Sequence, residues 1–115
     1  MDRAVSLTFL CHLHELQAGS ARGFDPNGSG RDTVLALLVA GRPKVFRNDC
    51  PHLNVPMQYR KDRFMTPNGE YIVCFAHGAR FLPESGLCVS GPCLGQSLTE
   101  LGYSVDREGR VWLEE

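Results

Sequence analysis

The sequence lacks any apolar run approaching the roughly 18 residues that a membrane-spanning helix needs. It also lacks an excess of either charge. Twelve Lys and Arg stand against thirteen Asp and Glu, a formal net charge of −1. Without a basic field, nucleic acid and anionic membrane surfaces are not expected partners. Ser6 and Thr8 break the apolar stretch before Cys11, and no small-residue cleavage site follows, so the N-terminus does not read as a signal peptide. The five cysteines are an odd number. With no leader to carry them to an oxidising compartment, disulfides are not expected and a cytoplasmic location is. No segment of twelve or more residues holds an apolar period of 3.6, which excludes a helical architecture.

What the chain does have is enough apolar material for one core: 43% hydrophobic and 22% charged over 115 residues. A single domain over 1–115 is expected, with no room for a second. Val5 to Leu13 reads as a strand with a short turn at His14 to Gln17, and the Gly- and Ser-rich stretch Ala18 to Asp32 reads as a surface loop. Thr33 to Ala40 and Lys44 to Arg47 read as a hairpin turned by Gly41-Arg42-Pro43. Tyr71 to Cys74, Ala79 to Leu82 and Leu87 to Val89 are short strands between turn signals, as are Gly102 to Val105 and Arg110 to Glu114 around Asp106-Arg107-Glu108-Gly109. Strands this short and this evenly spaced predict an all-β sandwich or barrel. Phe9 and Trp112, near the two ends, read as its core.

Asn48 to Cys93 differs in kind, being rich in Cys, His, Pro and Gly. It holds two hooks, Cys50-Pro51-His52 and Cys74-Phe75-Ala76-His77. Each offers one thiolate and one imidazole. Such a split suits two unlike metal positions, both sulfurs on one and both nitrogens on the other, as in a two-iron cluster with Cys₂ and His₂ ends. A mononuclear Cys₂His₂ zinc site uses the same ligands, although structural zinc hooks usually pair like with like. Cys11, His12 and His14 form a second candidate cluster, but on a strand the two imidazoles face away from the thiol. Cys88 and Cys93 read as free thiols, Asp49 as a turn residue, and Arg80 as a solvated side chain within reach of a partner.

The hooks, with His77-Gly78, the turn at Gly86 and Gly91-Pro92, resemble a Rieske-type [2Fe-2S] domain between Cys50 and Cys93. The resemblance implies a small antiparallel β-sandwich base with an inserted two-loop cluster-binding subdomain over about residues 48–93. It makes Cys50 and Cys74 ligands of a buried iron, His52 and His77 ligands of an outer iron, and Gly91 and Pro92 the loop that covers the cluster. It further implies an electron carrier and not a catalyst, reduced by a flavoprotein reductase and oxidised by a terminal oxygenase or reductase. A Rieske-type small subunit of a complex such as nitrite reductase is the alternative, and a zinc-stabilised interaction module is a third reading.

Several positions depart from the family pattern. Tyr59-Arg60-Lys61-Asp62-Arg63 lengthens the gap between hooks and reads as a solvent-exposed excursion without a role. Asn54 stands where many members carry Gly. Val55 and Ala76 occupy the positions of the extra cysteines that respiratory members join as a disulfide, and Ala79 and Phe81 those of hydroxyls that bond cluster sulfurs. Their absence predicts a potential at the low end of the Rieske range, which spans about −150 to +300 mV.

Overall fold

The computed structural model describes residues 6–51, 55–58 and 60–114. Among them the strands are β1 (Leu7–His12), β2 (Arg22–Phe24), β3 (Val34–Val39), β4 (Arg42–Arg47), β5 (Ile72–Cys74), β6 (Ala79–Phe81), β7 (Cys88–Ser90), β8 (Tyr103–Val105) and β9 (Arg110–Glu114). One 3₁₀ turn, Leu13–Glu15, follows β1 where a short turn is expected. The pairings between these strands are antiparallel, in three sheets ordered β1-β9-β8, β2-β3-β4 and β5-β6-β7, and an isolated Ala18–Leu38 bridge is parallel.

The unbroken apolar run of β3 explains how the sheets stack. Side chains on a strand alternate between faces, so a strand apolar on both faces needs an apolar neighbour on each side. Val34 and Ala36 join Val45, Leu10, Cys11, Val111 and Leu113 in one core. Leu35 and Leu37 join Phe46, Ile72, Phe81 and both hook cysteines in the other. The sheet β2-β3-β4 is thus the middle layer, with the two-ended base sheet on one face and the hook-bearing lobe on the other. Full burial of each Leu, Val or Phe is worth ~1.5–3 kcal/mol, so β3 ties the layers together.

Ala40 (φ 52°) and Gly41 (φ 77°) make the β3–β4 turn. Arg42 and Pro43, expected in that turn, belong to β4. Two left-handed residues match the strand twist best, and Pro43 is tolerated because β4 has a sheet neighbour on one side only. β2 lies inside the stretch read as loop. Its Gly-rich composition hides a strand whose pairing comes from β3. β7 starts one residue later than expected, with Leu87 instead bridging Ser97. Phe9 and Trp112 also depart from expectation. They pair across β1 and β9 on the outer face, rings edge to face at 5.6 Å, with Phe9 41% exposed. The Trp112 indole N–H donates to Asp106 at 3.0 Å, and Arg110 lies over its ring, so polar partners hold the indole at the surface. Among the described residues no helix is long and apolar enough to cross a membrane.

Candidate metal centre

The first hook leaves β4 at Arg47, whose N–H donates to the Thr99 carbonyl at 2.9 Å. Asn48 follows, buried, with its side chain fully used. Its amide donates to the Asp32 carbonyl (2.9 Å) and to Gln58 Oε1 (2.6 Å), and its Oδ1 accepts the Met57 N–H at 2.9 Å. A buried polar side chain is stable only when so satisfied. Asn48 therefore clamps the start of the hook to the segment after it, a role the sequence reading missed because a lone Asn beside Asp49 looks like turn chemistry. Asp49 does turn the chain, its N–H donating to the Arg47 carbonyl at 2.9 Å. The Cys50 N–H donates to the Val55 carbonyl at 2.9 Å and closes the loop. His52 and Asn54, together with Leu53 and Tyr59, lie outside the described residues.

The second hook is the turn from β5 to β6. The Gly78 N–H donates to the Cys74 carbonyl at 2.7 Å, with Gly78 at φ 76°. The Phe75 N–H donates to the Met57 carbonyl at 2.9 Å and so joins the two hooks. Cys50 and Cys74 are fully buried, whereas His77 is exposed on the turn. Burial and the neighbouring Cys50 thiol push the Cys74 thiol up, while the nearby backbone N–H groups of Ala76 and His77 pull it down. Two neighbouring buried sulfurs with backbone N–H groups nearby suit metal-bound thiolates, since a metal takes the place of the protons that burial otherwise retains. The chemistry of the described donors, two thiols in the core and the His77 imidazole at the surface, fits a cluster with unlike sulfur and nitrogen ends.

The third loop, Gly91-Pro92, follows β7. Gly91 has φ 104°, and a Cβ there would lie 2.8 Å from the Ala79 Cα, so only glycine lets this loop rest on β6. Pro92 is exposed above it. Of the six expected site residues, Cys50 and Cys74 share one core, His77 follows Cys74 on the β5–β6 turn, and Gly91-Pro92 rests on Ala79 of β6; among the described residues no three His, Cys, Asp or Glu side chains stand close enough to share a metal ion. Cys88 and Cys93 are free thiols, as expected, but their sulfurs are only 3.3 Å apart and share the core of Cys50 and Cys74.

The excursion between hooks is solvent-exposed, as expected, at Arg60, Lys61 and Arg63, but it has a role: it is anchored. Lys61 Nζ donates to the Gly23 carbonyl and to Asp32 Oδ2, each at 2.8 Å, and Asp62 Oδ1 accepts the Gly23 N–H at 2.8 Å. These contacts pin the lobe to β2. Nothing in the spacing of Lys61 and Asp62 could reveal them, because the partners are the Gly23 backbone and a carboxylate, Asp32, 29 residues away. Cys11 faces the base core while His12 and His14 stack outside it at 5.4 Å, so these three residues do not converge. Val55 and Ala76 carry no thiol, and Ala79 and Phe81 are buried on β6 without hydroxyls.

The model of the Rieske [2Fe-2S] domain family matches residues 6–105. Comparison with the curated proteins finds no match. Among solved structures, the ferredoxin of Sphingomonas yanoikuyae B1 is similar with a TM-score of 0.72 at 19% identity, covering 96% of this chain and 99% of that one. The ferredoxin of carbazole 1,9a-dioxygenase from Nocardioides aromaticivorans IC177 gives 0.70 at 20% identity, covering 94% and 96%. A putative NADH-dependent nitrite reductase small subunit from Mycobacterium tuberculosis gives 0.65 at 18% identity, covering 98% and 97%. With the family model spanning most of its length, this chain belongs to the Rieske [2Fe-2S] domain family, and its cofactor is a Rieske-type [2Fe-2S] cluster.

Proposed function

We propose that the protein is a cytoplasmic one-electron carrier that takes electrons from a flavoprotein reductase and passes them to a terminal oxygenase or reductase, with no catalytic site of its own. Cys50 and Cys74 hold the inner iron, His52 and His77 the outer iron, and Gly91-Pro92 covers the site. The observation that carries this reading is the split of the second hook, its cysteine buried against Cys50 and its histidine exposed three residues later. The bound cluster supplies a one-electron couple, raised by histidine ligation above that of all-cysteine clusters. The chain keeps water from the sulfur end and leaves the imidazole end open to a partner.

Phe75, two residues before His77 on the β5–β6 turn, is 39% exposed and offers apolar surface beside the predicted outer iron. Redox encounters bury little area, and such a surface suffices for one. The solved ferredoxins, one of them the ferredoxin of carbazole 1,9a-dioxygenase, support a mobile carrier, while the nitrite reductase subunit, matched over nearly its full length, supports a fixed subunit as the second reading.

The test is the absorption and EPR spectrum of the freshly purified protein, with its iron and acid-labile sulfide. Equal iron and sulfide with a Rieske signal is expected, and a colourless zinc protein would overturn the reading. Phe75→Asp should then slow reduction by the cognate reductase several-fold while leaving the spectrum intact. An unchanged rate would move the docking face elsewhere.

A further inference from the structure

Cys88 opens β7, and Cys93 follows the Gly91-Pro92 turn. The Cys93 thiol donates to Cys88 Sγ at 3.3 Å, and the Cys88 thiol donates onward to the Ser90 carbonyl, also at 3.3 Å. Both thiols are buried in the core that contains Cys50 and Cys74. A disulfide sets its sulfurs about 2.05 Å apart, so closing this pair takes an approach of about 1.2 Å. The backbone already holds the ends of the turn together. The Gly95 N–H donates to the Cys88 carbonyl at 3.1 Å, the Cys88 N–H to the Gln96 carbonyl at 2.7 Å, and the Leu94 N–H to the Gly91 carbonyl at 3.2 Å. A crosslink over so short and so well-closed a loop removes little chain entropy. Its effect would be on the chemistry of the sulfurs.

We propose that Cys88 and Cys93 are a convertible dithiol, which a mild two-electron oxidant joins as a disulfide, changing the surroundings of Cys50 while leaving both hook cysteines in place. Two S–H bonds break and one S–S bond forms. The two protons and two electrons pass to the oxidant, which for the azo compound diamide becomes the hydrazine. The turn above the pair is exposed at Gly91, Pro92 and Leu94, so the oxidant approaches across a thin loop and not through the sheets.

Cys93 also shares its buried core with Cys50. Its S–H, which donates to Cys88 at 3.3 Å, is a thiol donor within that core. Closure removes that donor from the surroundings of Cys50. Hydrogen bonds to cluster sulfurs favour the more negative reduced form, so losing one lowers the reduction potential. Only this consequence rests on the assignment of Cys50 as a ligand; the crosslink stands on the sulfur geometry alone.

The experiment treats the cluster-loaded protein with diamide, then alkylates it under denaturing conditions and maps the cysteines by peptide mass spectrometry. Absorption is recorded before and after, and the potential is measured by protein-film voltammetry. The expected result is a Cys88–Cys93 crosslinked peptide lighter by two hydrogens, an unchanged visible spectrum, a lower potential, and reversal of the crosslink and of the potential shift with dithiothreitol. Cys93→Ser and Cys88→Ser should give no crosslink yet retain iron. Cys88 and Cys93 both alkylated after treatment, or a crosslink to Cys50 or Cys74 with loss of colour, would overturn the proposal. A Cys88–Cys93 crosslink with an unmoved potential would overturn the coupling to Cys50. A protein without iron would instead break the ligand assignment, and the crosslink would still be read from the peptides.

Discussion

The base and the hook-bearing lobe share the middle sheet but are held by opposite means. In the base, β3 and β4 pair over six positions and β1 and β9 over five, and the core between them is aliphatic apart from Cys11 and the partly buried aromatics at its edge. In the lobe each strand is three residues long. There, loops are fixed by single polar ties: the Asn48 side chain, the Met57 carbonyl, and Lys61 and Asp62 on β2. Four of the five cysteines sit in the lobe's core. Apolar burial without direction can build a base that folds, but bringing the Cys50 and Cys74 sulfurs together needs contacts that fix individual atoms. The lobe gives up regular structure for that placement.

The sharpest way to break this comparison is to remove a hook sulfur. Cys74→Ser and Cys50→Ser should each take iron content close to zero and lower the melting temperature, because metal binding is part of the folding free energy of such a site. Far-UV circular dichroism of the base should persist. Full iron with the wild-type spectrum in either variant would refute the ligand assignment.

The converse substitution is Leu113→Ala, in the base core. A buried Leu→Ala change costs about 2–5 kcal/mol. Chemical denaturation should show that loss while iron per folded molecule stays at the wild-type value. A fall in iron per folded molecule would mean that the base sets hook geometry directly. Asn48→Ala lies between the two cases. It leaves the buried Met57 N–H without its partner, a loss of about 1–3 kcal/mol, and it frees the first hook from the segment joined to the second. Both a lower unfolding midpoint and faster iron release to a chelator are expected. Destabilisation with unchanged release would make Asn48 a fold residue and no more.

The same division decides what could be read from the sequence. Base strands announce themselves through alternation, as Arg110–Glu114 does, or through an unbroken apolar run ended by a turn, as β3 does. The hooks announce themselves because few chemistries require a thiol and an imidazole twice at short spacing. The ties between these parts do not. Gly23 serves as an anchor through its backbone N–H and carbonyl, which any residue offers, and a Cβ there would overlap the Asp32 carboxylate. Phe9 and Trp112 were misleading for a related reason. Hydrophobicity places an aromatic on a sheet, but which face it takes depends on register and on partners such as Asp106, four residues before Arg110.

The finest test of the comparison leaves both halves folded and changes only what one atom offers the hooks. Ala79 and Phe81 are fully buried on β6, and Gly91 of the covering loop rests against Ala79. Neither side chain can donate a hydrogen bond. A hydrogen bond to a charged acceptor is worth roughly 1.5–3 kcal/mol. At about 59 mV per tenfold change for one electron, each added hydroxyl could raise the potential by up to about 60–130 mV. The gain should fall below that ceiling because the oxidised state benefits as well. Ala79→Ser adds one atom where the Gly91 backbone already presses close, and Phe81→Tyr must fit its hydroxyl into an apolar core, so Ala79→Ser is the smaller perturbation. Protein-film voltammetry should place the wild type at the low end of the Rieske range and Ala79→Ser above it. A wild-type potential well above zero, or no upward shift in either variant with the spectrum intact, would mean that the potential is set by something other than missing hydroxyls, with the Cys93 thiol beside Cys50 the next group to remove.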